Sequence, residues 1–272
     1  MEPCNQASHR NHCWRLVRTI PFSAVRNVNK SPIGKGVFGK CYTGYISSSI
    51  PVCIKVFCKD NQLASTFQPE AFLMSKLSHS NLPWLYGVSE HDGHKILVLS
   101  FHGVDGRSYT LHKALHSDCL SVTINWKVIL LGLLSALKYI HKNRILHNDI
   151  KSDNIVIDNR SPVPQSILID FGKGCLVSDA KTYTLSLEER RRYAIDHPQV
   201  APDLRDGHCR QSEYSDVYSI GRVINQINNK FLHIPFLASY ASLCMQYTCT
   251  KRPSSHDLYT SMQSMLKPGV QD

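Results

Sequence analysis

Two short stretches and two aspartates of the 272-residue sequence are of residue types that can bind and transfer charged groups. Residues 34–39 read GKGVFG, and glycines at this spacing let main-chain amides approach phosphate oxygens without side chains in the way. Residues 52–55 read VCIK and place a lysine among apolar neighbours. Asp149 and Asp170 lie near two β-like runs further along. Their carboxylates can accept a proton or bind a hard cation such as Mg²⁺.

Each of these stretches has a plainer interpretation when it is read alone. A pattern like that of residues 34–39 also opens Rossmann folds and many ordinary hairpins. The run that follows, GKCYTGY, has β-strand character, whereas a Rossmann fold requires a helix there. Lys55 by itself could be an exposed edge lysine, and Glu70 an ordinary surface carboxylate. An ion pair between the two would instead hold the lysine toward phosphates.

The first half of the chain has the texture of a β-sheet. Between residues 31 and 101 it contains three β-rich runs, GKCYTGY, PVCIKVFC and KILVLSF, separated by Gly, Pro and Ser. The segment QPEAFLMSKLSH lies between the last two runs and predicts one helix, because its apolar residues recur at helical spacing. We therefore expect a twisted antiparallel sheet with one helix.

The second half is predicted to be mostly helical. The clearest helix runs from Ile124 to Asn143. One face of it is apolar and is formed by Trp126, Ile129, Leu130, Leu133, Leu134, Leu137 and Ile140. Two β-like runs, NIVID and SILID, and a long polar stretch follow it. Further helices are predicted at 216–228, 236–247 and 255–266, and a ligand site is expected where the two halves join.

Residues 147–154 read HNDIKSDN and residues 170–172 read DFG. These two stretches resemble the H-R-D-x-x-x-x-N and D-F-G motifs of the eukaryotic protein kinase family. The glycine loop, the strand lysine and the helix glutamate precede them in the order that this family has. The resemblance covers about residues 28–266 and is specific because several motifs occur in register.

Further motifs extend the resemblance toward the C-terminus. Residues 201–203 read APD and are similar to the A-P-E motif of the family. The resemblance implies that Asp203 pairs with Arg252. It also implies that Asp216 braces the catalytic loop from beneath.

The resemblance implies an α+β, bilobal protein kinase fold. This fold has a small antiparallel β-sheet lobe with one helix and a larger, mostly helical lobe. Residues 28–272 would form the kinase domain, with 28–101 as the N-terminal lobe and 102–272 as the C-terminal lobe. Residues 1–27 would be an N-terminal tail and a candidate for disorder.

The implied activity is that of an ATP-dependent protein kinase, whose catalysis consists of positioning and charge neutralisation. Asp149 is the expected catalytic base for the substrate hydroxyl. Lys55, held by Glu70, is expected at the α- and β-phosphates, and Lys151 at the γ-phosphate.

ATP and Mg²⁺ are the implied cofactors, with Asn154 and Asp170 as oxygen ligands of the metal. The residues expected around the nucleotide are Ile33, Gly34, Gly36, Gly39, Cys41, Cys53, Lys55, Leu99, Phe101, His102 and Val156. Cys41 and Cys53 depart from the usual Val and Ala of the family but keep the adenine face apolar.

Lys151 favours serine and threonine hydroxyls of protein substrates, because serine/threonine members of the family carry a lysine there.

Two motif positions depart from the family: Asn148 replaces an arginine that clasps a phosphate, and Asp203 replaces a glutamate. The asparagine favours activity that does not require a phosphorylated activation segment. The departures keep a pseudokinase scaffold open as an alternative, beside a tyrosine-specific kinase and an adaptor that acts through residues 190–192.

Composition narrows the function classes further. The net charge is +10, but no dense basic block with interleaved aromatic residues argues for nucleic acid as the main ligand. No signal peptide or run of about 20 apolar residues is apparent, so no membrane span is predicted. The ten cysteines predict reduced thiols and a cytoplasmic protein. A zinc site at Cys4, His9, His12 and Cys13 is disfavoured by its spacing.

Overall fold

The structure, a computed structural model, describes residues 17–47, 49–59, 65–117 and 125–265. It divides into two compact units. The sheet unit contains the described residues of 17–78 and 83–107, and the helical unit contains those of 79–82 and 108–265. The zinc ligands considered at Cys4, His9, His12 and Cys13 lie outside the described residues.

The sheet unit is built on six strands and one α-helix. In chain order these are β1 (Val25–Arg26), β2 (Gly34–Gly36), β3 (Gly39–Ile46), β4 (Ile50–Phe57), α1 (Phe67–Ser75), β5 (Leu85–His91) and β6 (His94–Ser100). The sheet runs β1-β3-β4-β6-β5, β2 pairs with β3, and every pairing is antiparallel. The predicted antiparallel sheet with one helix is confirmed.

One face of this sheet carries the core of the unit. Strands β4 and β6 pair with Ile54 opposite Val98, and alternate residues point to the same face. The buried core cluster consists of Ile20, Val25, Val52, Ile54, Ile96 and Val98. This clustering explains why the β-branched runs of the sequence form central strands.

Residues 17–27, which the sequence assigns to a tail, pack against the sheet. Val17 and Ile20 are buried, and the Ile20 amide donates a hydrogen bond to the Val88 carbonyl at 2.8 Å. Strand β1 then pairs with β3. The sheet unit therefore begins ahead of the predicted boundary at residue 28.

The helical unit contains seven α-helices and four short strands in its described part. These are α2 (Leu111–His116), α3 (Trp126–Lys142), β7 (Ile145–Leu146), β8 (Ile155–Asp158), β9 (Gln165–Leu168), β10 (Cys175–Leu176), α4 (Leu187–Asp196), α5 (Pro202–Arg205), α6 (Glu213–Ile227), α7 (Pro235–Cys244) and α8 (Ser255–Met265). Strand β8 pairs with β9, and β7 pairs with β10. None of the described helices is both long and apolar enough to cross a membrane.

Helix α3 is the scaffold of this unit, as predicted. All seven residues of its predicted apolar face are buried, and the helix packs against β9, α6 and α8. It begins at Trp126, where the Asn125 side chain caps it by accepting a hydrogen bond from the Val128 amide at 3.3 Å. Ile124, the predicted start, lies outside the described residues.

The three other predicted helices are present, and the ends of the first two are shifted. Helix α6 begins at Glu213 and is followed by a π-helical turn over Asn228–Leu232. Helix α7 ends at Cys244, short of the predicted residue 247. Helix α8 begins at Ser255, and the Ser254 hydroxyl accepts a hydrogen bond from the Asp257 amide at 3.1 Å.

A helix that the sequence does not predict occurs in the long polar stretch. Helix α4 has no buried residue, so it lacks the apolar face on which periodicity depends. A capping box starts it: the Ser186 hydroxyl accepts from the Glu189 amide, and the Glu189 carboxylate accepts from the Ser186 amide.

The predicted pair of Asp203 and Arg252 closes the helical unit. Arg252 Nη2 lies 2.7 Å from Asp203 Oδ1, and the Arg252 side chain has no exposed surface. The guanidinium also donates to the carbonyls of Tyr214, Gln246 and Tyr247. The buried charge is thus paired and hydrogen-bonded, which a buried ion requires.

Replacing Arg252 by alanine tests this anchor. Arg252→Ala leaves the Asp203 carboxylate buried without its cation, so we expect the free energy of unfolding to fall by about 3–5 kcal/mol. Denaturant unfolding measures the change. The control Arg205→Ala removes a partly exposed pair with the adjacent Asp206 and should cost less than about 1 kcal/mol. Equal losses for the two variants would contradict the anchoring role.

Candidate active site

The strand lysine and the helix glutamate of the sheet unit form a buried ion pair. Lys55 Nζ lies 2.7 Å from both carboxylate oxygens of Glu70. Lys55 comes from β4, and Glu70 stands in the first turn of α1, where the helix dipole favours a negative charge. The structure therefore brings together two residues that the sequence could relate only through a family resemblance.

The glycine-rich stretch is a tight hairpin between β2 and β3. Its three glycines are not equivalent. A Cβ atom on Gly39 would stand 2.0 Å from the Val56 carbonyl oxygen, so packing alone requires glycine there. A Cβ atom on Gly34 or Gly36 would meet no described atom within 4 Å. The described structure thus gives no packing reason for these two glycines.

Three other residues predicted around the nucleotide lie on one face of the sheet together with Lys55. Cys53 is opposite Leu99 in the β4–β6 ladder, and Cys41 is opposite Lys55 in the β3–β4 ladder. A hydrogen bond between the Cys41 and Cys53 thiols, together with burial, raises the pKa of Cys53 well above its usual value. The Cys53 thiol therefore stays neutral and acts as a small apolar group.

The remaining predicted nucleotide residues are divided between the two units. Ile33 precedes β2, and its amide donates to the Cys41 carbonyl at 2.8 Å. Phe101 is buried, and its amide donates to the Pro51 carbonyl at 3.3 Å. His102 is half-buried and pairs with the Ser100 hydroxyl at 2.8 Å. Val156 belongs to the helical unit, where it is buried in β8.

Asp149 is surrounded by cationic and amide donors of the helical unit. Lys173 Nζ and Gln199 Nε2 lie 3.3 and 3.0 Å from its Oδ1. Lys151 Nζ and Asn154 Nδ2 lie 3.4 and 3.3 Å from its Oδ2. Burial raises the pKa of Asp149, but the two lysine charges and the Gln199 hydrogen bond outweigh it, so the net pKa lies below the usual value. The carboxylate is therefore ionised at neutral pH.

Two of these partners, Lys173 and Gln199, were not identified from the sequence. Lys173 directly follows the DFG stretch, and Gln199 lies two positions before Ala201. Gln199 is buried, and its carbonyl accepts a hydrogen bond from the Ser219 hydroxyl at 2.7 Å. A polar residue that is buried in an otherwise polar stretch carries no periodic signal, so only the three-dimensional contact reveals it.

A histidine and an aspartate fix the backbone around Asp149. The Asp149 amide donates to His147 Nδ1 at 3.3 Å, so the His147 proton is on Nε2, which donates to the Ile169 carbonyl at 3.1 Å. Burial lowers the pKa of His147, which keeps the ring neutral. Asp216 accepts hydrogen bonds from the amides of His147 and Asn148, both at 2.8 Å. The predicted bracing role of Asp216 is confirmed.

Asn148 adopts a left-handed backbone conformation with φ of 62°. Its side-chain amide donates to the Lys173 carbonyl at 3.2 Å and contacts the Cys175 thiol at 3.3 Å. Asn148, which replaces the arginine of the family motif, thus contacts the segment after DFG through uncharged groups, and these contacts need no added phosphate.

The two predicted metal ligands stand on adjacent segments. The Ile169 amide donates to the Asn154 carbonyl at 2.9 Å, which ties the residue before Asp170 to Asn154. The Asn154 amide nitrogen donates to the Asp149 carbonyl at 2.8 Å, so its side-chain oxygen is the atom left to coordinate a cation. An amide oxygen and a carboxylate are the hard donors that Mg²⁺ prefers, so the residues present fit this ion.

Comparison with known proteins identifies the family of the chain. Residues 28–265 match the family described as protein kinase domain. Cysteine-rich receptor-like protein kinase 34 of Arabidopsis thaliana is 31% identical over 228 residues, which are 80% of this chain and 32% of that protein.

Two further relatives from the same plant are similarly distant. Cysteine-rich receptor-like protein kinase 27 is 28% identical over 72% of this chain and 30% of its own length. A probable LRR receptor-like serine/threonine-protein kinase is 32% identical over 70% of this chain and 18% of its own length. The chain thus spans about a third or less of the curated relatives that it matches. With the family match over residues 28–265 and the paired motif residues on both units, the chain belongs to the protein kinase domain family.

Proposed function

We propose that the chain is an active kinase that transfers the γ-phosphoryl group of ATP to serine or threonine hydroxyls of proteins. The observation that carries this proposal is the environment of Asp149. Its carboxylate is ionised and is held by two lysines, an asparagine and a glutamine. Membership of the protein kinase domain family already implies protein substrates, ATP and a divalent metal in general.

Asp149 would orient the substrate hydroxyl and take its proton during transfer. A lowered pKa makes the carboxylate a weaker base, but it also guarantees a negatively charged acceptor at neutral pH. In a loose phosphoryl-transfer transition state, orientation of the hydroxyl matters more than early proton removal. Lys151 and Lys173 would offset the charge that the substrate phosphate brings.

Mg²⁺ and ATP would each be held by residues that the sequence identifies. Asn154 and Asp170 supply oxygen ligands for the metal, and Mg²⁺, when bound, offsets negative charge on the phosphates. Lys55, oriented by Glu70, would contact the α- and β-phosphates. The apolar face of Cys41, Cys53 and Leu99 would pack against adenine.

Lys151 and the name of one relative, a probable LRR receptor-like serine/threonine-protein kinase, support serine or threonine as the acceptor. A tyrosine-specific kinase and a pseudokinase scaffold are the alternatives. The intact set of Lys55, Glu70, Asp149 and Asp170 argues against the scaffold. The cytoplasmic location stays a prediction.

A phosphoryl-transfer assay separates these alternatives. The purified chain is incubated with γ-labelled ATP, Mg²⁺ and mixed peptide substrates that present serine and threonine or only tyrosine. We expect label on serine and threonine, and loss of labelling in Lys55→Met, which removes the phosphate-binding cation. Label on tyrosine alone would indicate the tyrosine-specific alternative. Binding of nucleotide without any transfer would indicate the pseudokinase.

The role of Asp149 is tested by Asp149→Asn, which keeps the shape of the side chain but removes its charge. We expect kcat to fall by about 10²–10⁴-fold, the range typical of a general base. Nucleotide affinity, measured by calorimetry, should stay within a few-fold. Asp153→Asn, an exposed aspartate of the same loop, is the matched control and should leave kcat unchanged. A loss of less than about tenfold in Asp149→Asn would contradict the assigned role.

Alanine at two glycines of the hairpin separates packing from nucleotide binding. Gly39→Ala meets the Val56 carbonyl and should cost about 1–3 kcal/mol of unfolding free energy. Gly36→Ala has space within the described structure, so its unfolding free energy should change by less than about 0.5 kcal/mol. We expect Gly36→Ala to weaken binding of a non-hydrolysable ATP analogue by about fivefold, because a methyl group crowds an amide–phosphate contact. Unchanged affinity in Gly36→Ala would contradict a phosphate-binding hairpin.

A further inference from the structure

Two cysteines and an aspartate of the helical unit converge outside the candidate active site. One carboxylate oxygen of Asp203 and the sulfurs of Cys209 and Cys249 all lie within 4.8 Å of one another. Asp203 stands in the first turn of α5, Cys209 follows that helix, and Cys249 begins the 3₁₀ turn Cys249–Lys251. The roles proposed above for phosphoryl transfer use neither cysteine.

The backbone around these three residues is fixed by hydrogen bonds. The His208 amide donates to the Asp203 carbonyl at 2.9 Å, which positions the residue next to Cys209. The Arg252 amide donates to the Cys249 carbonyl at 3.1 Å. The Arg252 side chain in turn lies 2.7 Å from Asp203 Oδ1. The three side chains therefore converge in an arrangement that needs little ordering before a ligand binds.

The Asp203 carboxylate has unused binding capacity. Its Oδ1 accepts from Arg252 and from the Leu204 amide, whereas Oδ2 is buried and has no partner of ordinary hydrogen-bond geometry among the described residues. The adjacent thiols are weak donors, which leaves this oxygen poorly satisfied. Burial, the Asp203 charge and side-chain hydrogen bonds to Asp203 and Cys249 raise the pKa of the Cys209 thiol to about 12.

We propose that Asp203, Cys209 and Cys249 form a binding site for a zinc-class divalent cation. Two sulfur ligands and one carboxylate oxygen are a donor set that Zn²⁺ takes, with a water molecule completing four-coordination. Zinc–sulfur distances of about 2.3 Å and zinc–oxygen distances of about 2.1 Å require ligand atoms about 3.6–3.8 Å apart in a tetrahedron. The three atoms lie within 4.8 Å of one another, so a closure of at most about 1 Å would bring them to this spacing. Mg²⁺, which takes oxygen ligands, is disfavoured by the two sulfurs.

The charges of the site balance in both states. Without a cation, the Asp203 carboxylate is neutralised by Arg252. Binding releases one proton from each thiol to solvent, and the two thiolate charges then match the two positive charges of the ion. The buried site therefore carries no net charge before or after binding, which avoids the large penalty of an unpaired buried charge. The bound ion would join the turn after α5 to the turn before α8.

Cobalt titration tests the proposal without any kinase assay. The reduced, chelator-stripped 272-residue chain is titrated with Co²⁺ in the absence of nucleotide, and thiolate-to-cobalt charge-transfer absorption is recorded. We expect a band that saturates at about one equivalent and is removed by Zn²⁺. Cys209→Ser should weaken this binding by at least about tenfold, and the double variant Cys209→Ser with Cys249→Ser should abolish it. Cys58→Ser, a half-buried cysteine of the sheet unit, is the matched control.

The thermal midpoint is a second readout. Zn²⁺ should raise the melting temperature of the wild-type chain and of Cys58→Ser but not that of the double variant, because the ion binds only the folded site. Circular dichroism without metal verifies that the variants are folded. Absence of a thiolate band in the wild-type chain would overturn the proposal. Retention of that band with unchanged affinity in the double variant would do so as well, and neither result depends on phosphoryl transfer.

Discussion

The buried carboxylate of Asp216 is the contact on which the geometry of the candidate site depends. It accepts hydrogen bonds from the main-chain amides of His147 and Asn148, both at 2.8 Å, and so fixes the turn that leads to Asp149. Two charge-assisted hydrogen bonds to one carboxylate are strong enough to hold Asn148 in its left-handed conformation. Asp216 itself stands in the first turn of α6, where the helix dipole stabilises its charge. The loop is thus positioned by a helix terminus through one side chain.

Asp149 must be both largely buried and ionised, and its electrostatic surroundings make the two compatible. Burial alone would favour a protonated carboxyl, which could not orient a hydroxyl proton. Lys151 and Lys173 reverse this preference and leave the surroundings of the carboxylate with more positive than negative charge. Such surroundings favour an incoming phosphate and suit a transition state that spreads negative charge over oxygens. The same contacts that lower the basicity of Asp149 therefore favour the reaction in which it would act.

The sequence predicts those parts of the structure that are local or that recur as short motifs. The apolar face of α3, the central strands and the pairs Lys55–Glu70 and Asp203–Arg252 follow from periodicity or from the family resemblance. Strand β5 is missed because Gly87 interrupts it. Glycine is required there by a contact with a residue distant in sequence, since a Cβ atom would lie 2.4 Å from the Arg18 carbonyl oxygen. The contacts of Lys173 and Gln199 with Asp149 are also missed, because they join polar residues that are far apart in sequence.

The two departures from the family motifs are both accommodated by local chemistry. Asp203 is one methylene shorter than the glutamate it replaces, yet Arg252 reaches it at 2.7 Å, because the guanidinium is fixed by three carbonyls. Asn148 cannot clasp a phosphate as an arginine would, but its amide bonds to the Lys173 carbonyl instead. A neutral hydrogen bond of this kind contributes about 0.5–1.5 kcal/mol and is present without any modification. Asn148 therefore holds the backbone of Lys173, and the Lys173 side chain contacts Asp149, the residue next to Asn148. Asparagine at this position therefore replaces an arginine–phosphate contact, which requires phosphorylation, by a hydrogen bond to the main chain, which does not.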